Sequence, residues 1–163
     1  MPKKTNQTPK NIQTEDKIEK TTYYFAVGRR KEASARIRMY IPQVEEVKLA
    51  DKVYQKGQII VNQRPIEQYF PGEVCKKIYL EPLRTTNNLS RFVITARIEG
   101  GGISGQLGAF IHGVSRALEK IDKEKYRPIL KKRGFLTRDS RAKERRKAGF
   151  AGKARKKKQS PKR

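Results

Sequence analysis

The sequence predicts a small α+β domain that runs on into a long basic tail. Two segments, Ser34 to Ile41 and Phe92 to Ile98, alternate apolar and polar residues with period two, the pattern of a sheet with one buried face. A third segment, from about Ser104, spaces its apolar residues as one helical stripe. Cations then accumulate toward the C-terminus as apolar residues thin out.

The elements follow in order. Tyr23, Phe25 and Val27 alternate with Tyr24 and Ala26 until Gly28, which fits a short strand, and the basic turn Arg29, Arg30, Lys31 follows. In the next strand Ala35, Ile37, Met39 and Ile41 face one way and Arg36, Arg38 and Tyr40 the other, so its outer face is basic and aromatic. Residues 42–57 are polar and bounded by Pro42 and Gly57, which favours a loop or a marginal hairpin over core. Ile59, Ile60 and Val61 form a third strand. A helical turn spans Ile66 to Phe70 and is closed by Pro71. A helix runs from Glu73 towards Leu80, with Val74, Cys75 and Ile78 inward, and Pro82 is expected to stop it. Asn87 and Asn88 mark a turn.

The strand containing Phe92, Ile94, Ala96 and Ile98 ends at Gly100, Gly101 and Gly102. The longest helix follows with Ser104 as expected N-cap and Leu107, Phe110, Ile111, Val114, Leu118 and Ile121 as its stripe. A last short helix is expected from Arg127 to Lys132, with Pro128 in its first turn, where a missing N–H costs nothing. Three regions result: a disordered extension over 1–21, an α+β domain over 22–133, and a tail over 134–163 that needs a partner to become ordered.

Charge bounds the function. Of a net +24, residues 1–21 carry +2, residues 22–127 carry +8 and residues 128–163 carry +14. Such a tail repels itself and gains most by neutralising a dense polyanion, since each phosphate it pairs with releases a condensed counterion. Nucleic acid is therefore the first candidate partner. A membrane surface is disfavoured, because the chain has no 18-residue apolar run and the tail has no apolar helical face. Cys75 is the single cysteine, so an intrachain disulfide and a cysteine metal cluster are excluded and a reducing compartment is favoured. The first residues have no apolar h-region and no arginine, against a secretory or organellar signal.

Gly100 to Gly105 satisfies G-x-G-x-x-G between a strand and a helix, the sharpest enzymatic lead in the chain. Its strand, however, alternates as a one-faced sheet does, and no second strand follows the helix, which is not the setting of a dinucleotide site. Two readings stay open. Gly102, Ser104, Gly105 and Gln106 offer a phosphate the free N–H groups of a helix start, or the glycines serve only a tight turn. Gly105, Gly108 and His112, with Arg116 one turn on, would line a smooth basic groove beside the apolar stripe. His112 is the only histidine and has no nucleophile and acid to complete a triad. No cofactor and no metal is expected.

For an average protein Arg29, Arg30, Lys31, Arg36 and Arg38 would be a solvated face. The charge of the whole domain makes them candidate RNA contacts. So are Arg138, Arg141, Arg145, Arg146, Lys147, Lys153 and Arg155 of the tail, which Gly134, Gly149 and Gly152 let bend along a backbone. Phe135 and Phe150 stack on bases or dock on protein.

Four ordered blocks, GRRKEASARIRM from Gly28, IIVNQRPIEQYFP from Ile59, GGGISGQLGAFIHGVSRALE from Gly100 and GFLTRD-x-R-x-x-ERRKAG from Gly134, resemble the small-subunit ribosomal protein S-nine family in its bacterial form. The resemblance covers about residues 23–163. It implies a four-stranded sheet backed by helices, of the left-handed β-α-β type shared with the second domain of ribosomal protein S-five, with a long extended basic tail. It also implies a cytoplasmic, ribosomal structural protein in the head of the small subunit. Its partners there would be small-subunit rRNA, in the 3′ major domain, and neighbouring head proteins. The family's tail threads through rRNA and its terminal Lys-Arg nears the anticodon stem-loop of P-site tRNA, which places Lys162 and Arg163 at that contact. The family usually ends Gln-Phe-Ser-Lys-Arg, whereas this chain ends Gln159-Ser160-Pro161-Lys162-Arg163, and residues 1–21 and the loop from Pro42 to Lys56 exceed its usual length. The runner-up is a free-standing, sequence-indifferent nucleic-acid-binding protein or RNA chaperone, for which the tail alone would suffice.

Overall fold

In the computed structural model, which describes residues 23–42, 46–49 and 52–156, the alternating segments pair as their periods require. β1 (Tyr23–Arg30) lies antiparallel to β2 (Ala33–Tyr40), and β2 antiparallel to β7 (Val93–Glu99). β5 (Ile59–Val61) joins the far side of β7 in parallel. The short hairpin of β3 (Glu46–Leu49) and β4 (Lys52–Gln55) is a two-stranded sheet of its own, in line with the marginal hairpin expected there, and its Tyr54 packs against Tyr40 and Val93 of the main sheet.

Register sorts the residues onto two faces. Ala26, Ile37, Ala96 and Val61 form one inward row, and Met39, Ile94 and Ile59 lie in the next. All seven are buried, and apolar area removed from water is the main force holding the sheet to its helices. The opposite face carries Phe25, Arg38 and Thr95 in one row and Val27, Arg36 and Arg97 in another.

Among the described residues the main sheet has five strands, in the order β1-β2-β7-β5-β6, which corrects the expected four. The chain reverses at Asn62 and Gln63, both at positive φ, and lays β6 (Arg64–Pro65) beside β5. Two residues are too few to show a period, and Pro65, which has no N–H to give, is tolerated at a sheet edge.

Helices cover only the inward face. α1 (Ile66–Tyr69) is the single turn expected, and α3 (Ile103–Ile121) is the long helix. Leu107, Phe110, Val114 and Leu118 of α3 are buried, with Ile111 and Ile121 packed at the margin, so the expected stripe is the observed one. Its N-cap is Gly102 and not Ser104, because Gln106 N–H already closes the first turn onto the Gly102 carbonyl at 2.9 Å.

Two helices depart from expectation at proline. α2 (Glu73–Thr85) continues through Pro82, and its buried side is Tyr79, Pro82 and Leu83 with Cys75 half-buried, while Val74 and Ile78 face outward. α4 (Lys123–Lys132) starts four residues earlier than expected, because the Asp122 side chain accepts the Lys125 N–H at 3.0 Å and caps it. Pro128 therefore lies inside the helix, its ring on the exposed side, and Tyr126 and Leu130 fill the core. Each proline forfeits one helical bond, a cost that burial of neighbouring side chains offsets.

Candidate nucleic-acid interface

The site residues fall on three surfaces, and their geometry begins with glycine. A Cβ on Gly28 would sit 2.0 Å from the Ala109 carbonyl oxygen, and one on Gly113 would sit 2.6 Å from the Ile37 side chain. Without those carbons α3 lies directly on β1. Gly105 and Gly108 belong to the same seam: a Cβ at Gly108 would meet the Arg30 side chain at 2.9 Å. The smooth open groove expected along this glycine side of α3 is thus filled by the β1–β2 turn, a correction that follows from close helix–sheet packing. Gly100 and Gly101, at positive φ, tuck against Glu32 and Ala33, so the glycine run serves a tight turn, while Gly102 is open to solvent.

Among the described residues β1 is an edge strand, and α3 dresses that edge. His112 Nδ1 accepts the Arg29 N–H at 3.3 Å, Arg116 donates to the Val27 carbonyl at 2.5 Å, and Lys120 Nζ donates to the Phe25 carbonyl at 2.6 Å. Four helical residues rise about 6 Å. Two strand residues rise about 6.6 Å. A helix stripe at i, i+4, i+8 therefore matches alternate groups of a strand, and backbone that would otherwise recruit another chain is satisfied. Lys120 was not foreseen. Its signal was the basic stripe it shares with His112 and Arg116 beside the apolar one.

This rim is also where the tail begins. Phe135 N–H bonds the Leu130 carbonyl at 3.0 Å, and Phe135 and Leu136 pack against the core, so Phe135 docks on protein. Asp139 then pairs with Arg30 and takes Arg141 in a two-pronged contact of 2.6 and 3.0 Å. Those guanidiniums, first Arg141 and then Arg30, hold the Asp139 carboxyl far below the usual carboxylate range. Burial, then the charge of Arg116, lowers the His112 pKa from its ordinary value, and Arg138 adds in the same sense. The rim thus gathers Arg29, Arg30, Lys31, Gly102, Ser104, His112, Arg116, Arg138 and Arg141. Gln106 sits there in a different role, accepting from Tyr69 Oη at 2.9 Å and donating to the Gly100 carbonyl at 3.2 Å, which pins the start of α3. Gly105 is buried against the turn.

Arg36 and Arg38 are elsewhere, exposed on the sheet face that no helix covers, with Arg97 beside them. Arg145, Arg146, Lys147, Lys153 and Arg155 make a third group. Lys147 N–H bonds the Lys153 carbonyl at 3.1 Å, Lys153 N–H bonds the Phe150 carbonyl at 3.0 Å, and Arg155 grips Glu144 through Nε at 2.9 Å. Positive φ at Gly149, Ala151 and Gly152 lets this stretch close into a loop. Lys162 and Arg163 lie outside the described residues.

Among the described residues, Arg30, Arg141 and Arg155 have carboxylate partners, while Arg29, Lys31, Arg36, Arg38, Arg116, Arg138, Arg145, Arg146, Lys147 and Lys153 have none. Cations outnumber acids on all three surfaces. The described residues include no cluster of potential metal ligands and no helix long and apolar enough to cross a membrane.

The sequence profile of the family described as ribosomal protein S9/S16 matches residues 28–163. The chain is 42% identical over 157 residues to the small ribosomal subunit protein uS9 of Rickettsia rickettsii, covering 96% of this chain and 86% of that protein. It is 45% identical over 128 residues to the small ribosomal subunit protein uS9 of an Anaeromyxobacter species, covering 78% of this chain and 88% of that protein. With a match over most of its length, the chain belongs to the ribosomal protein S9/S16 family, whose members are structural ribosomal proteins and not enzymes.

Proposed function

We propose that this protein is a structural constituent of the small ribosomal subunit in the cytoplasm, binding rRNA of the subunit head through its rim and its tail. The observation that carries the reading is the surplus of cations without carboxylate partners on the rim and along residues 145–153. Phosphate contacts from Lys and Arg position such a protein on RNA, and its affinity comes mainly from counterion release. The free N–H groups at the start of α3, beside Lys31 and without an acidic residue in the first turn, suit a phosphate. In this reading the sheet keeps the family's left-handed β-α-β arrangement, the tail takes an extended path along RNA, and neighbouring head proteins flank the domain. Lys162 and Arg163 reach the anticodon stem-loop of P-site tRNA.

The test is the salt dependence of binding to a head-domain rRNA fragment. Removing residues 142–163 should flatten the slope by about 0.7 to 0.9 for each phosphate the segment neutralises. A slope equal to that of the full chain overturns the tail's role. Removing only Lys162 and Arg163 should leave subunit assembly intact and weaken P-site tRNA binding, and equal tRNA affinity with and without them overturns that contact.

A further inference from the structure

The face of the sheet turned away from the helices carries chemistry that neither rim nor tail uses. Arg36 of β2 stands directly across from Arg97 of β7, and Arg38 directly across from Phe25 of β1. Like charges placed opposite each other on neighbouring strands destabilise a sheet. Arg97 is relieved in part by Glu99, at 2.7 Å, whereas Arg36 and Arg38 have no carboxylate partner among the described residues. An arrangement that weakens the free protein in this way is relieved when a polyanion arrives.

Aromatic rings share the face. Phe25 is 41% exposed and Tyr23 is 47% exposed, although each is flanked on its own strand by half-buried or buried neighbours. The Arg38 guanidinium lies 5.4 Å from the centre of the Tyr23 ring, so charge and ring are already side by side. Tyr54 of the β3–β4 hairpin bounds the face on one side and the Asn62–Gln63 turn on the other, around a concavity of about 720 Å³ that Phe25, Arg36, Arg38, Thr95 and Arg97 help to line. Thr95 and Gln63 supply hydrogen-bonding groups within it, while the Asn62 amide is held by the Ile98 backbone.

We propose that this face binds a single-stranded segment of RNA, with an unpaired base stacked on Phe25 and phosphates held by Arg36, Arg38 and Arg97. The inference rests on the RNA-binding reading above and adds to it a second surface with a different preference. A ring face in this concavity reaches only bases that are out of a helix, because an A-form duplex keeps its base faces stacked and its major groove too deep and narrow to read. Stacking on aromatic side chains is indifferent to base identity, so the face selects strandedness and not sequence. An acidic protein strand is the other occupant with matching charge, and it would use Phe25 as an apolar contact, not as a stacking surface.

The experiment compares binding of the full chain to a short oligouridylate and to an RNA duplex of equal length, over a range of salt. Phe25→Ala should weaken oligouridylate binding by at least about fivefold while leaving duplex binding and the salt slope unchanged, since stacking moves no counterions. Phe25→Leu keeps apolar bulk and loses the ring face, so it should be as weak as alanine. Arg36→Gln with Arg38→Gln should lower the oligouridylate slope by about 0.7 per phosphate lost. Melting temperatures that match the parent establish that the exposed substitution left the fold intact. Equal oligouridylate affinity in the parent and Phe25→Ala overturns the proposal, as does an equal loss on duplex, or recovery of oligouridylate binding by leucine, which shows that apolar bulk and not a ring face makes the contact. Failure of the parent to bind either RNA instead overturns the RNA-binding reading itself.

Discussion

At His112 the edge of the sheet depends on a lone pair. Its Nδ1 accepts the Arg29 N–H only while unprotonated, and burial together with Arg116 lowers its pKa from the ordinary 6.5. A histidine whose folded-state pKa lies below its unfolded value binds protons more readily when unfolded, so its contribution to stability is complete above about pH 6.5 and falls as pH drops from there towards the folded pKa. The melting temperature should accordingly decline as the solution is acidified from pH 7 through 6, before the carboxylates titrate. His112→Gln, whose amide oxygen also accepts a hydrogen bond, should remove that part of the decline. An identical pH profile in the two proteins would show that the imidazole does not hold the edge. The sequence marked His112 and Arg116 by type and spacing but not by role. Nothing in one chain's residues says that an edge strand lies alongside, so a basic stripe that seals a sheet looked like the lining of a groove.

Elements were legible where a period ran long enough to choose a partner. β2, β5, β7 and α3 lie where their apolar residues placed them, and so does the inward stripe of α3, whereas β1 runs on through Gly28 to Arg30, so that the turn is Lys31 and Glu32 and not the expected Arg29, Arg30 and Lys31. α2 shows the limit: Val74, Cys75 and Ile78 satisfy a helical face as well as Cys75, Tyr79, Pro82 and Leu83 do, and the choice between them is made by α3 and α4 packing alongside. Prolines misled for a related reason, since propensity counts the hydrogen bond lost and not the burial gained. The seam between α3 and β1 is the most demanding contact between elements. Gly113→Ala places a methyl carbon 2.6 Å from Ile37 and 3.1 Å from the Gly28 nitrogen, where neither strand nor helix has room to retreat. Chemical denaturation should show a loss of about 1–3 kcal/mol or more. Gly72→Ala has free space around its Cβ, but its φ of 100° makes it a measure of backbone strain alone. If Gly113→Ala lost no more stability than Gly72→Ala, close packing at the seam would be refuted.

On the scale of the whole molecule the division into domain and tail follows charge only approximately. Apolar residues become sparse after Gly134, yet the first two of them, Phe135 and Leu136, are spent on the domain core, and Asp139 ties the next turn to Arg30 across the rim. The polycation therefore leaves the domain at a fixed point and in a fixed direction, next to Arg29, His112 and Arg116, instead of swinging from the end of α4. Orientation of this kind would lower the entropy lost in the RNA binding proposed for the tail, because its root is already placed. Two truncations separate the anchor from the arm. A chain ending at Arg141 keeps Phe135, Leu136 and Asp139, and its denaturation midpoint should match that of the full chain. A chain ending at Arg133 loses two half-buried apolar side chains and the N–H bond to Leu130, and should be less stable by about 1–3 kcal/mol. Equal midpoints for both would mean that residues 134–141 ride on the domain without holding to it, and the tail would then approach RNA with no preferred bearing.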